Sequence, residues 1–291
     1  MSQITYKPKK NIFKHLKVAL FSFIILLMVT TPIALIPKEG LLNIYNWANY
    51  IPSQIILKFE SETGIKVNYT TYDSNEALYA KLKTNPHHGY DVIVPSSYYV
   101  ERMARQAMLQ KLDLSKISNS QYLNPLLMNK SFDPHNQYSL PFAWGTTGII
   151  VNDRYYDPKK IKRWIDLWDP KFKNQLLLSN DSREVFAMSL HTLGYSINDT
   201  NPQHIRAAYL KLRELIPNIK LFAAESVISI YTDEDAHIGM GFNGEAYTAH
   251  KENPHIHYIY PENQAGLWID CFAIPKNATH LESAYRFINF I

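Results

Sequence analysis

Three carboxylates, Asp181, Glu184 and Asp270, and the aromatic residues Trp47, Tyr50, Tyr98, Tyr99 and Trp268 lie where the chain passes between regular elements, or on a terminal strand. Carboxylates and aromatic faces together are the chemistry of capturing an organic cation. An ammonium group taken out of water needs a carboxylate partner, because an unpaired buried charge is costly. Aromatic rings cover attached methylenes and attract the ammonium through the ring quadrupole, at about 0.5–2 kcal/mol per contact. Other chemistries lack their residues. There is no CxxC, no HExxH, no glycine-rich phosphate loop and no recognisable nucleophile–base pair. Of the 11 histidines, His87–His88 are adjacent and His255 and His257 alternate. Nothing near either pair completes a metal-ligand set, so both read as solvated loop or strand-face residues. Neither a metal nor a cofactor is expected, and an exported α/β enzyme is the weakest of the readings.

Each residue also has a structural reading. Asp181-Ser182-Arg183-Glu184 fits a capping box, with Asp181 as N-cap and Glu184 at the third helical position. Trp47 and Trp268 could equally serve a core, and Tyr98 and Tyr99 could be half-buried residues of a helix start. Trp268 and Asp270 stand two apart on a predicted strand, so they share a face. What favours a ligand site is coincidence: four separate strand ends offer acids or aromatics where a cleft would lie.

The elements that would position them alternate. Residues 41–47 read as a strand, and a helix from Ser53 to Thr63 stops at Gly64. Residues 66–72 alternate like a strand, 74–83 form a helix, 91–96 form a continuous apolar strand expected in a parallel sheet, and a helix follows near 99–106. After a Pro-punctuated stretch the pattern restarts. Strands are expected at 146–152, 176–180, 236–242, 255–260 and 267–274. Helices are expected at 182–193 and 202–215, with a last one from Thr279. This predicts two α/β lobes, and open α/β sheets take ligands at the carboxyl ends of their strands.

The chain has 291 residues, enough for two such lobes, with 20 Tyr and 5 Trp. Its net charge of +4 comes from one end. Residues 1–36 hold five lysines and no acid, and without them 25 basic residues face 26 acidic ones. The body therefore lacks the basic excess of a nucleic-acid binder. The basic stretch from Lys7 to Lys17, then an uncharged apolar run over 18–36, has the order of a secretory signal or a retained membrane anchor, so residues 1–37 are assigned to export. The single cysteine, Cys271, rules out an internal disulfide and reads as a buried apolar residue.

Long ordered stretches now carry a resemblance: YNWANYIP at 45–52, FESETGIKVNYTTYDSNEALYAKLKT at 59–84, YDVIVPSSYYVERM at 90–103, SFDPHNQYSLPFAWGTTGIIVN at 131–152, LWDPKFKNQLLLSNDSREVFAMSLHTLGYSIND at 167–199 and GLWIDCFAIP at 266–275. From about Leu41 onward the chain resembles the spermidine/putrescine-binding periplasmic proteins of polyamine ABC transporters. The resemblance implies a type II two-lobe periplasmic binding protein, hinged, with ligand in the interlobe cleft. Lobe one would hold 41–145 plus 268–291, and lobe two 146–267. It implies a periplasmic receptor, not an enzyme, that binds spermidine or putrescine and delivers it to inner-membrane ABC permease subunits. Position by position, the implied contacts are Trp47, Tyr50, Ser96 and Tyr98 from lobe one, Asp181 and Glu184 from lobe two, and Trp268 and Asp270 at the second crossover. Asp181, Glu184 and Asp270 would pair with ammoniums, and Trp47, Tyr50, Tyr98 and Trp268 would box the methylenes.

Three departures stand out. Phe242 replaces the family's Trp, and Asn49 replaces its acid. The chain also stops at Phe290-Ile291, where family members continue and cross back to lobe two. Thr279-x-x-Glu282 reads as a capping box, and Leu281, Ala284, Tyr285, Ile288 and Ile291 share one helical face with nothing beyond to cover it. Two alternatives therefore stand beside the working receptor: a truncated, non-functional paralogue with apolar lobe-two surface exposed, and a receptor for another cationic amine.

Overall fold

The structure is a computed structural model describing residues 40–48, 50–262 and 266–291. Asn49 and the export segment at 1–37 lie outside the described residues. No helix among the described residues is long and apolar enough to cross a membrane.

The chain alternates β1 Leu41–Trp47, α1 Ser53–Thr63, β2 Lys66–Tyr72, α2 Asn75–Thr84, β3 Val92–Ile93 and α3 Ser97–Arg105. A long strand, β4 Ser139–Asn152, then leads to β5 Leu176–Ser179, α4 Ser182–Thr192, α5 Pro202–Leu215, β6 Ile219–Ala223 and α6 Val227–Thr232. The chain closes with β7 Ile238–Phe242, α7 Asn243–Glu252, β8 Ile256–Ile259, β9 Gly266–Ala273 and α8 Leu281–Phe290. The strands join in the order β2-β1-β3-β9-β4-β7-β5-β6, with β8 on β4.

Local signals explain the boundaries. Gly64 ends α1 in the left-handed region, its N–H closing on Glu60 O at 2.9 Å. Ser74 caps α2, accepting from Ala77 N. Alternate burial along β1 sends Leu42, Ile44 and Asn46 inward. One apolar cluster packs Leu42 and Ile44 against Phe59 of α1 and Phe287 of α8. The other face carries Leu78 and Leu82 of α2 with Val100 and Met103 of α3. A second pair of clusters builds around β4, β5 and β7, with Val185 and Met188 of α4 on one side and Tyr231 and Ala249 from α6 and α7 on the other. Each half is a three-layer α/β sandwich.

Several expectations are corrected. The 91–96 run contributes only Val92–Ile93 as a strand, because Pro95 has no N–H for the ladder, and Ser96 then makes a single bridge with Asp270 on β9. The sheet is mixed. β3 runs parallel to β1 and antiparallel to β9, and β4 runs antiparallel to β7, β8 and β9. Strand β4 starts at Ser139 rather than 146, since its first half pairs along β9. The Thr279–Glu282 capping box does not form. Asp91, fully buried, accepts from Thr279 N and His280 N at 3.0 and 2.9 Å, while Glu282 reaches out to Lys116 at 3.0 Å. On α8, Ala284, Tyr285 and Ile288 are buried as expected, but Leu281 and Ile291 are exposed and Phe287 is the deep anchor, edge-on to Phe59 at 5.1 Å. Cys271 is fully buried. His255 precedes β8 and His257 lies on it, both pairing with Asp153 at 2.6 Å.

Candidate functional site

The two halves are joined by β9 and the first part of β4, and the candidate residues gather at this joint. Asp270 is its centre. It lies on β9, 3% exposed, and its two oxygens are held from different elements: Tyr50 donates to Oδ2 and Ser96 to Oδ1, each at 2.5 Å. Ser96 is held in turn by Asn75, whose Nδ2 donates to Ser96 Oγ at 2.9 Å and whose Oδ1 accepts from Ser96 N at 3.0 Å. The same amide donates to the Tyr98 hydroxyl at 3.0 Å. One buried asparagine at the start of α2 thus fixes two of the expected contacts at the start of α3.

Aromatic residues wall this centre. Trp47, at the end of β1, donates its Nε1 to Val94 O at 2.9 Å, and its ring centroid lies 6.3 Å from that of Tyr50 and 4.7 Å from that of Tyr72. On the other side Phe242, ending β7, meets Trp268 edge-to-face at 5.5 Å. The Trp268 indole lies so close over the Gly145 backbone that a Cβ there would collide with it. Trp268 Nε1 is buried with no hydrogen-bond partner among the described residues.

The acids of the second half arrive at the start of α4, directly after β5. Asp181 caps the helix, and both cap bonds, from Arg183 N at 2.7 Å and Glu184 N at 3.4 Å, end on Oδ1. The reciprocal half of the capping box is not made. Asp181 N donates to Ser179 Oγ at 3.2 Å instead, which leaves the Glu184 carboxylate unused by the helix. Asp181 therefore serves as the helix cap through Oδ1, while the Tyr98 hydroxyl from the other half also acts on its carboxylate.

Burial governs the electrostatics. It pushes Glu184 up to about 7, with the Thr147 hydroxyl beside it acting in the opposite direction and Asp181 adding to the rise. Burial pushes Asp270 up to about 6, opposed by its bonds to Ser96 and Tyr50. Asp181 is raised chiefly by burial, with its cap bonds opposing. A fourth acid belongs with these. Glu245, at the start of α7, is pushed up to about 7 by burial and accepts from Phe242 N at 3.0 Å. Its charge is felt at Tyr50 from across the joint. None of the four carboxylates forms an ion pair among the described residues. Carboxylates whose charged form is disfavoured by desolvation and that form no ion pair are suited to accept a cation from outside.

The structure brings the nine expected residues together around the joint, linked by the contacts above. Sequence reasoning missed Asn75, which positions rather than faces, and Glu245. The signal for Glu245 was present: it stands three residues past the end of a strand, as Glu184 stands five past the end of β5, but the Asn243-Gly244 start hid the helix. No cluster of three or more metal-ligating side chains occurs among the described residues.

A mixed sheet, two sandwiches and a cleft at the strands that join them define a two-lobed solute-binding protein. The chain belongs to the bacterial extracellular solute-binding protein family, whose family model it matches over residues 54–291. Within that class it is 46% identical over 250 residues to the spermidine/putrescine-binding periplasmic protein of Salmonella typhimurium, covering 86% of this chain and 72% of the relative. It is 35% identical over 276 residues to the putrescine-binding periplasmic protein SpuD of Pseudomonas aeruginosa, covering 86% and 73%. Among solved structures it superposes with a TM-score of 0.73 on the spermidine/putrescine ABC transporter substrate-binding protein PotD of Streptococcus pneumoniae, at 39% identity, covering 86% and 77%. These relatives are binding and transport proteins rather than enzymes.

Proposed function

We propose that this chain binds a linear polyamine in the periplasm and hands it to inner-membrane ABC permease subunits, acting by binding and not by catalysis. The observation that carries the reading is a set of four carboxylates, buried Asp270 and half-buried Asp181, Glu184 and Glu245, which form no ion pair among the described residues and stand beside aromatic rings. Asp181, Glu184 and Asp270 take ammonium groups. Trp47, Tyr50, Tyr98, Phe242 and Trp268 cover the methylenes, and Ser96 holds Asp270 in place. Lobe one comprises 41–145 with 268–291, lobe two 146–267, and the hinge lies in β4 and β9. The surplus of negative charge favours the three-charge spermidine over putrescine.

Isothermal titration of residues 38–291 with spermidine and putrescine tests the reading. Micromolar or tighter binding, stronger for spermidine, is expected. A folded protein that gives no heat with either amine would remove the assignment, and binding of a different organic cation alone would reassign the ligand. Phe242 favours keeping that second arm, since it places a smaller ring than a tryptophan against Trp268.

A further inference from the structure

One cation stands among the acids of the cleft. Arg183, at the second helical position of α4, lies between Asp181 and Glu184 in sequence, and its charge is felt by Glu184. A fixed guanidinium is an odd neighbour for a site built to attract ammonium groups, because like charges at such range repel. Its position suggests what it gains. The guanidinium carbon lies 5.4 Å from the centroid of the Tyr98 ring, which belongs to the opposite half of the molecule. Both ends of this contact are held. Tyr98 receives the Asn75 amide on its hydroxyl and packs edge-on against Tyr99 at 5.1 Å. Arg183 donates through Nη2 to Asn198 Oδ1, in the loop after α4. The contact spans the two halves, and a separation of the halves that keeps these anchors breaks it.

We infer that Arg183 is a latch residue: its cation–π contact with Tyr98 holds the closed form and slows ligand escape without touching the ligand. The inference rests on reading the cleft as a polyamine site. Its sign separates it from simple electrostatics. Removing a cation beside a polycationic ligand should tighten binding if charge alone mattered, whereas removing a latch should loosen it. A cation–π contact at a half-exposed site predicts a two- to fivefold rise in koff, with kon unchanged or faster.

The experiment compares Arg183→Met and Arg183→Lys with the parent protein by stopped-flow fluorescence with spermidine. It is run at about pH 8.5, where Glu184 is ionised whether or not Arg183 is present. A koff raised two- to fivefold in Arg183→Met, and by less in Arg183→Lys, supports the latch. An unchanged or lower koff overturns it. A second readout needs no ligand: single-molecule energy transfer between dyes at Tyr122→Cys and Tyr209→Cys, two exposed positions on opposite halves, with Cys271 buried. Arg183→Met should lower the closed fraction of the free protein, and an unchanged fraction overturns the latch. If the parent protein binds no polyamine, the functional reading fails, and this second readout still decides the latch.

Discussion

Polyamine affinity should fall steeply with acidification, because the carboxylates proposed to receive the ammonium groups hold protons unusually well. Glu184 rests at about 7 and Asp270 at about 6 in the free protein, both pushed up by burial. Binding requires each to be ionised, so below its own value each costs up to tenfold per pH unit. Going from about pH 7.5 to 5.5, Glu184 accounts for about 25-fold and Asp270 for about fourfold, or about 100-fold together. The ligand does not confuse the measurement, since alkylammonium groups stay charged throughout this range. Titration calorimetry in buffers of differing ionisation enthalpy should also detect about half a proton released per spermidine near pH 7, mostly from Glu184. Glu184→Gln should flatten the profile to roughly the fourfold of Asp270. Flat affinity over this range, or net proton uptake on binding, would refute the assignment of Glu184 and Asp270 as ammonium partners. The free protein should show the opposite trend. Because burial raises Glu184 and Glu245 in the folded state above their unfolded values, protonation stabilises the fold. That stability is fully present below about 4.5 and is lost as pH rises through about 7. The Tm of ligand-free protein should therefore rise on going from about pH 8 to 6, while the Tm gain from spermidine should shrink.

Asp181→Asn, Glu184→Gln and Asp270→Asn should each weaken spermidine binding by about 2–5 kcal/mol by titration calorimetry. Near-neutral effects at all three would remove the site. Gly239→Ala should lower the Tm by several degrees, because a Cβ there would run into the backbone of Leu177, where β7 lies beside β5, and main chain cannot step aside. A wild-type Tm in this variant would contradict the packing of those two strands. Cys271 is buried, and burial raises its thiol, so it should resist a thiol reagent in native buffer and react once denaturant is added. Rapid native labelling would mean that the β9 core opens.

Much of the fold was legible because its signals are local. Gly64 stops α1, Ser74 caps α2, and the apolar run at 176–179 sits where a buried strand should. What stayed hidden depends on partners far away in the chain. The 91–96 run is apolar enough for six residues of strand, yet Pro95, with no N–H to give, interrupts the ladder before Ser96 bridges Asp270 on β9. Thr279 and Glu282 have the spacing of a capping box, yet a carboxylate 188 residues earlier takes the N–H groups. Spacing alone cannot report a competitor of that kind.

The candidate site shows the same division in a sharper form. Asp181 carried two readings, a helix cap and an ammonium partner; the structure shows the cap, with both cap bonds on a single oxygen, and the second role is the proposal made above. Asn75 was not legible as part of any site, since an asparagine after a serine cap has an adequate local explanation. Yet its one amide sets Ser96 and Tyr98, and through Ser96 it sets Asp270. The cleft is therefore built in two ranks. Residues that would meet the ligand advertise themselves by charge or ring at strand ends. Those that fix their geometry are ordinary polar residues whose importance appears only once β9 brings Asp270 across to the first half. A prediction distinguishes the ranks. Asn75→Ala should cost polyamine affinity although it removes no charge, because it frees Ser96 and Tyr98 and so loosens Asp270. The loss should be smaller than for Asp270→Asn, and it should shrink when Asn75→Ala is added to Ser96→Ala/Tyr98→Phe, leaving only the part carried by the Asn75 Oδ1 bond to Ser96 N. Additive losses in that comparison would mean that Asn75 acts by some route other than these two hydroxyls.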